Sequence, residues 1–137
     1  MTVTIDLNVV LDMLLQRGQY GACLELLTLC KEARIRGLLP SHGIPTIYYI
    51  LRKSIGHERS LEAVRKLLKS VEVFPVSKEI VLHAFDLNFS DFEDAIIAAS
   101  AEASGSTFII TRDARHFRSS RIRAISPEEF LELLPTE

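Results

Sequence analysis

An α/β fold with a central parallel sheet is predicted by three observations. Short β-branched, apolar runs alternate with longer stretches of helical periodicity. Helix-start signals recur between them, and aspartates stand where two of the runs end, at Asp6 and Asp113. The expected architecture is a single three-layer α/β/α domain over residues 1–137, with a sheet of four to five strands. With 137 residues and 47% hydrophobic content, the chain can bury one real core and leaves little for a second.

The elements follow in order. Thr2 to Ile5 is short, apolar and β-branched, as a buried parallel strand should be. Asp6 or Asn8 can cap the helix that follows, in which Val9, Val10, Met13 and Leu14 recur at helical spacing until Arg17-Gly18. A second helix is expected from Gly21 to Arg36, with Gly37 as its stop. Leu38 to Ser41 reads as a strand near a sheet edge, where Pro40 is tolerated. Pro45 suits the first turn of a helix through Leu51 to Ser54, and Gly56 breaks it. His57 to Ser70 is strongly amphipathic, with Leu61, Val64, Leu67 and Leu68 expected inward. Val71 to Val76 is the third strand, and Ser77 starts a helix reaching about Leu87.

The stretch from Ser90 to Asp113 organises the rest. Ser90 and Glu93 fit a capping box, and the helix after them is apolar nearly all round, which marks it as buried. Its first turn carries Asp91, Glu93 and Asp94. Gly105 ends it, Thr107 to Thr111 is the fourth strand, and Arg112-Asp113-Ala114 turns away. Ile122 to Ile125 is a weak final strand. Ser126, Pro127 and Glu129 open the last helix with a capping box and a proline at its first position.

In a parallel sheet the strands' carboxyl ends lie along one side, where open α/β folds bind ligands. Asp6, Asp94 and Asp113 are expected to meet there, with Asp91 close by. Crowded carboxylates repel one another, and a divalent cation relieves the repulsion. Hard oxygen ligands without a histidine or cysteine pattern select Mg²⁺ or Mn²⁺, whose chemistry suits hydrolysis of phosphodiesters. The plainer reading is that these acids only cap helices and offset the helix dipole, an effect of about 0.3–1 kcal/mol each. Strand-end aspartates at both Asp6 and Asp113 weigh toward function.

Net charge is −2, so a nucleic-acid partner needs a local basic patch. Arg112, Arg115, Arg118, Arg121 and Arg123 offer one, although a solvated charged loop explains them about as well. His116 stands out among the histidines for its place beside Asp113. Tyr48 and Tyr49 read as core or interface aromatics. Cys23 and Cys30 lie seven apart on one helix face and read as reduced core thiols. No run is apolar enough to span a bilayer and no signal peptide precedes the first strand, so a soluble cytoplasmic protein is expected. No glycine-rich loop is present to cradle a nucleotide.

Three segments carry a resemblance: Asp6-Leu7-Asn8-Val9-Val10-Leu11-Asp12, Asp91-Phe92-Glu93-Asp94-Ala95-Ile96-Ile97-Ala98-Ala99, and Thr111-Arg112-Asp113-Ala114-Arg115-His116-Phe117. In content and order the chain resembles the PIN-domain family over essentially its whole length. Those proteins are metal-dependent ribonucleases, and many bacterial ones are VapC-type toxins paired with an antitoxin. The resemblance implies metal-binding roles for Asp6, Asp94 and Asp113, with Asp91 as an auxiliary acid. It also implies that Asn8 orients the first aspartate and that Thr111 lines the site; Arg112, Arg115 and His116 are read as substrate contacts from their place beside Asp113. Two departures are visible. Pro45 to Leu51 lacks the glutamate usual in that helix, and Asp113 with His116-Phe117 replaces the usual Thr-Arg-Asn and Asp-Phe pattern.

The expected function is a Mg²⁺- or Mn²⁺-dependent single-stranded RNA endonuclease, a homodimer and the toxin of a toxin–antitoxin pair. The alternative is a catalytically impaired PIN-like module that binds RNA or protein. A third reading, a haloacid dehalogenase type of phosphatase, rests on Asp6-x-Asn8 after the first strand. It is weakened by Asn8 and Val10, which stand where that family has aspartate and threonine.

Overall fold

The structure is a computed structural model and describes residues 1–135. The chain opens with β1 (Thr2–Ile5) and passes directly into α1 (Leu7–Leu14) and α2 (Tyr20–Lys31). It continues through β2 (Arg36–Pro40), α3 (Gly43–Ile55), α4 (His57–Leu67), β3 (Glu72–Phe74) and α5 (Lys78–Asp86). It closes with α6 (Phe92–Ser104), β4 (Phe108–Ile110), a 3₁₀ turn at Ala114–Phe117, β5 (Arg123–Ile125) and α7 (Pro127–Leu133).

The five strands form one parallel sheet in the order β3-β2-β1-β4-β5. β1 is central, and Val3, Thr4 and Ile5 are all buried, so both faces of the strand are covered. On one face α1, α2, α3, α4 and α7 pack with Val3, Ile5, Leu39, Ile110 and Ile125 into the largest core cluster. On the other, Ile97, Ala98 and Ala101 of α6 pack with Ile109, while α5 packs on α6 around Ile80, Ala84 and Ala95. The three-layer α/β/α arrangement follows. Small alanines along α6 let it lie close to the sheet, where Thr4 Oγ1 and Ser106 Oγ are hydrogen-bonded at 2.8 Å.

The path of the chain matters for the site. From β1 it moves to β2 and β3 on one side, then crosses to β4 on the other. The reversal falls between β1 and β4, the place where open α/β sheets leave a crevice at their carboxyl ends.

Several local expectations are corrected. α2 ends at Lys31 rather than Arg36, and the chain reverses through Ala33 at φ 59°. Gly37 is no helix stop. It lies inside β2, because a Cβ there would come within 2.7 Å of Cys30 Sγ. β2 is the second strand of the sheet, next to the edge strand β3 as expected, and Pro40 is its final residue. In α4 the buried face is Ser60, Val64 and Leu67, with Leu61 and Leu68 turned outward; the Ser60 hydroxyl is satisfied by Gly56 O at 2.6 Å. At α6 the cap is Asp91, not Ser90. The capping box of Ser126 and Glu129 is present as the sequence indicates, and Cys23 and Cys30 are buried free thiols. Among the described residues no helix is long and apolar enough to cross a membrane.

Candidate active site

Asp6 is the first residue past β1, and its backbone N–H donates to Ile110 O of β4 at 2.9 Å. Its carboxylate is held from two directions. Oδ1 accepts from the Asn8 backbone N–H at 3.2 Å, which caps α1, and Oδ2 accepts from Thr111 Oγ1 at 2.9 Å. Thr111 Oγ1 in turn accepts from the Asp113 backbone N–H at 3.2 Å. One hydroxyl therefore ties the end of β1 to the turn after β4. The contact from Asn8 to Asp6 is made by its main chain, not its side chain.

Asp6 is only 4% exposed, and burial drives its carboxyl pKa above the usual carboxylate range, against the two hydrogen bonds and the charges of Arg112 and His116. Asp94 comes from the first turn of α6. Asp91 positions that turn by accepting from the Asp94 backbone N–H at 3.1 Å. Burial is again the main reason that the Asp94 carboxyl is pushed up to about 6, followed by repulsion from Asp91 and Asp6. Glu93 is raised too, by burial and then by Asp91 and Asp6. Asp6, Asp91, Glu93 and Asp94 thus form one mutually repelling group at the carboxyl end of the sheet. Glu93 had a capping role in the sequence reading; its position adds it to the site. Alternation of charge along the chain gave no signal for this, because Asp6 comes from the far end of the chain.

Asp113 lies beside this group in a different setting. It caps the 3₁₀ turn, accepting from the Arg115 backbone N–H at 3.3 Å and from Arg115 Nε at 3.2 Å. The Arg115 guanidinium, above all, holds its carboxyl below the usual range. His116 stands between the two acids, with Nε2 3.2 Å from Asp113 Oδ2 and Nδ1 3.6 Å from Asp94 Oδ2. Arg112 reaches away to Asp12, its Nη1 2.8 Å from Oδ1. Arg115 and His116 thus lie against the acid group, whereas the Arg112 guanidinium turns from it to Asp12; each is paired with an acid of the same chain.

Among the described residues, no three histidine, cysteine, aspartate or glutamate side chains stand as a ready-made metal cage. Asp6 and Asp94 nevertheless meet the chemical requirement for a hard dication. They are oxygen donors, both raised by burial and Asp94 also by the neighbouring acids, and a cation would offset that cost. His42, which follows β2, is a residue that spacing did not single out. Both its ring nitrogens are shielded and have no hydrogen-bond partner among the described residues, and burial lowers its pKa. Its neighbour Gly43 packs on Leu7, where a Cβ would lie 3.4 Å from Leu7 Cδ2.

A PIN-domain family model matches residues 2–115. The chain belongs to the PIN-domain family. It is 29% identical over 136 residues to Ribonuclease VapC1 of Aquifex aeolicus (strain VF5), covering 95% of this chain and 93% of that protein. Among solved structures it is similar to VapBC-1 from nontypeable Haemophilus influenzae, with TM-score 0.73 and 17% identity over 93% of this chain and 99% of that one. A toxin–antitoxin complex from Klebsiella pneumoniae gives TM-score 0.68 and 19% identity over 91% and 97%. These PIN structures share the α/β fold with its parallel five-stranded sheet.

Proposed function

We propose that this PIN-domain chain is a metal-dependent endonuclease of single-stranded RNA, the toxin of a toxin–antitoxin pair. The observation that carries the reading is the acid group gathered around buried Asp6 at the β1–β4 switch point. Asp6 and Asp94 would hold Mg²⁺ or Mn²⁺, with Glu93 and Asp91 next to them. Asp113, paired with Arg115 and His116, would be a further ligand. When bound, such an ion polarises a phosphoryl oxygen and lowers the pKa of a coordinated water. The chain's own groups do the rest. Thr111 and the Asn8 N–H fix the Asp6 carboxylate, and Asp91 fixes the start of α6. His116, between Asp94 and Asp113, is placed to hold or pass a proton near the reacting phosphate.

Similarity to a ribonuclease supports the substrate, and similarity to VapBC and toxin–antitoxin structures supports an antitoxin partner. The silent binding module is not favoured by these relatives. A homodimer in the cytoplasm belongs to the same proposal. Exposed Tyr49 and the exposed Phe85–Phe92 pair, ring centroids 4.8 Å apart, supply apolar surface for protein contacts.

The test is a Mn²⁺ titration by calorimetry on wild type and Asp94→Ala, beside cleavage of single-stranded RNA with and without chelator. Metal binding lost in the variant, together with chelator-sensitive cleavage, is the expected result. Cleavage that persists unchanged in chelator and in Asp94→Ala would sink the proposal.

A further inference from the structure

Outside the acid group, the strongest feature is a cavity of about 440 Å³ between α1, the loop into α2, and the start of α7. Its lining includes Asp12, Arg17, Gln19, Tyr20, Arg112 and Glu128. A single oxygen, Asp12 Oδ1, accepts from both Arg17 Nε and Arg112 Nη1, each at 2.8 Å. Asp12 is half-buried on α1 while both arginines are exposed, so the carboxylate pins two guanidiniums at the rim. The loop is shaped for this. Gln16 and Gly18 take left-handed backbone at φ 51° and 62°, and the Arg17 N–H returns to Asp12 O at 2.9 Å. Each guanidinium keeps its other N–H groups without a partner among the described residues, as do the Gln19 amide and the Tyr20 hydroxyl.

The cavity adjoins the acid group by two covalent routes. Arg112 follows Thr111, whose hydroxyl holds Asp6. Asp12 lies six residues beyond Asp6 on α1, about 9 Å along a helix axis. Its volume falls within the range of small-molecule sites, roughly 300–1,000 Å³. The lining combines guanidiniums, which suit phosphate, with an aromatic ring and both amide and carboxylate groups, which suit a base edge.

We propose that this cavity seats one nucleotide of the RNA strand next to the phosphate held at the acid group, so that it sets the cleavage sequence. The inference rests on the nuclease reading above. Free donors of Arg17 and Arg112 take a backbone phosphate, Tyr20 stacks on the base, and Gln19 and Glu128 read its edge. Single-stranded RNA is the occupant of choice because its unstacked bases can be splayed into such a pocket.

The test uses the full-length protein and a random-sequence single-stranded RNA pool. Cleavage products are sequenced, KM and kcat are measured, and binding is followed by fluorescence anisotropy with metal chelated. Variants are Arg17→Ala and Tyr20→Leu, with thermal melting to confirm folding. Both are expected to bind RNA about tenfold more weakly. KM should rise accordingly with kcat within about twofold, and the base preference at one position beside the cut should flatten. Gln19→Ala, in the exposed loop, should shift the preference with little loss of affinity. Unchanged affinity and cut sites in folded variants overturn the cavity's role and leave the nuclease reading standing. Variants that read RNA normally but lose a co-expressed partner protein overturn it in favour of a protein arm. Wild type that neither binds nor cuts RNA removes the nuclease reading and this inference with it.

Discussion

Asp94 and Asp113 are the same residue type at the same end of the same sheet, and His116 touches both, yet their ionisations are driven in opposite directions. Asp94 is pushed up to about 6 by burial and by Asp91 and Asp6, whereas Asp113 is drawn down chiefly by Arg115. What separates them is company. Asp94 faces Asp91 of its own helix start and Asp6 at the end of β1, and has one histidine. Asp113 has an arginine two residues along the same turn. A carboxylate that is already neutralised has less to gain from a cation than one crowded by its own kind, so an ion at this site belongs first with Asp6 and Asp94.

The largest expected effect tests that ranking. Asp6→Ala and Asp94→Ala should each lower RNA cleavage by roughly a hundredfold to a thousandfold, the scale of losing one group that stabilises transition-state charge. Asp113→Ala should cost about tenfold, measured in the same assay at saturating Mn²⁺. An Asp113 loss as deep as that of Asp94 would break the comparison and make Asp113 a full ligand.

Next comes the hydroxyl that joins the two halves. Thr111→Val keeps the shape but leaves Asp6 Oδ2 and the Asp113 N–H without their shared partner. A loss of about 1–2 kcal/mol is expected, read as a fall of several degrees in Tm. A Tm unchanged in the variant would show that water replaces the hydroxyl at no cost.

The pH dependence should be smaller and has a definite sign. Because the Asp94 pKa is raised on folding, the folded state binds its proton more tightly, and stability falls as pH rises from about 4 through about 6. Asp94→Asn, measured without metal, should therefore match wild type at pH 4 and exceed it at pH 8. The group is half-exposed and solvent screens it, so the gain should be on the order of 1 kcal/mol. Added Mn²⁺ should reverse the order at pH 8, since only the wild type keeps the ligand.

The smallest effect is at the other aspartate. Arg115→Ala should leave Tm unchanged, because the pair is exposed to solvent. It should let the Asp113 carboxyl titrate at higher pH, as NMR would show. An unmoved Asp113 would mean that His116 alone accounts for its setting.

Signals that live within one turn of chain were legible in the sequence. The Ser126–Glu129 box, the strand ending at Asp6, and the buried alanine face of α6 each declare themselves in a few residues. Relations across the sheet were not. Pro40 placed its strand near a sheet edge, but which strand lies outside it depends on pairing that no single segment declares. Leu61 fits an inward helical stripe, yet α4 turns Ser60 inward instead, because the Gly56 carbonyl satisfies its hydroxyl. Among the acids, Asp91, Asp94 and Asp6 were readable from their positions at helix starts and strand ends. Glu93 was not, since Asp6, which raises its pKa, comes from the far end of the chain. His42 carries no spacing signal at all, and its shielded nitrogens show only in three dimensions.

The Thr111–Asp6 hydrogen bond joins residues 105 positions apart. On a ribosome adding about 5–20 residues per second, Asp6 would wait some 5–20 s before its partner is even made. During the early part of that time β1 lacks β4 as a neighbour, and Asp6 has no acids of α6 to face. A chain arrested partway through synthesis therefore carries every residue of β1 and α1 but no assembled acid group. The chemistry proposed for the acid group therefore has to wait for a segment that is translated late, past residue 111.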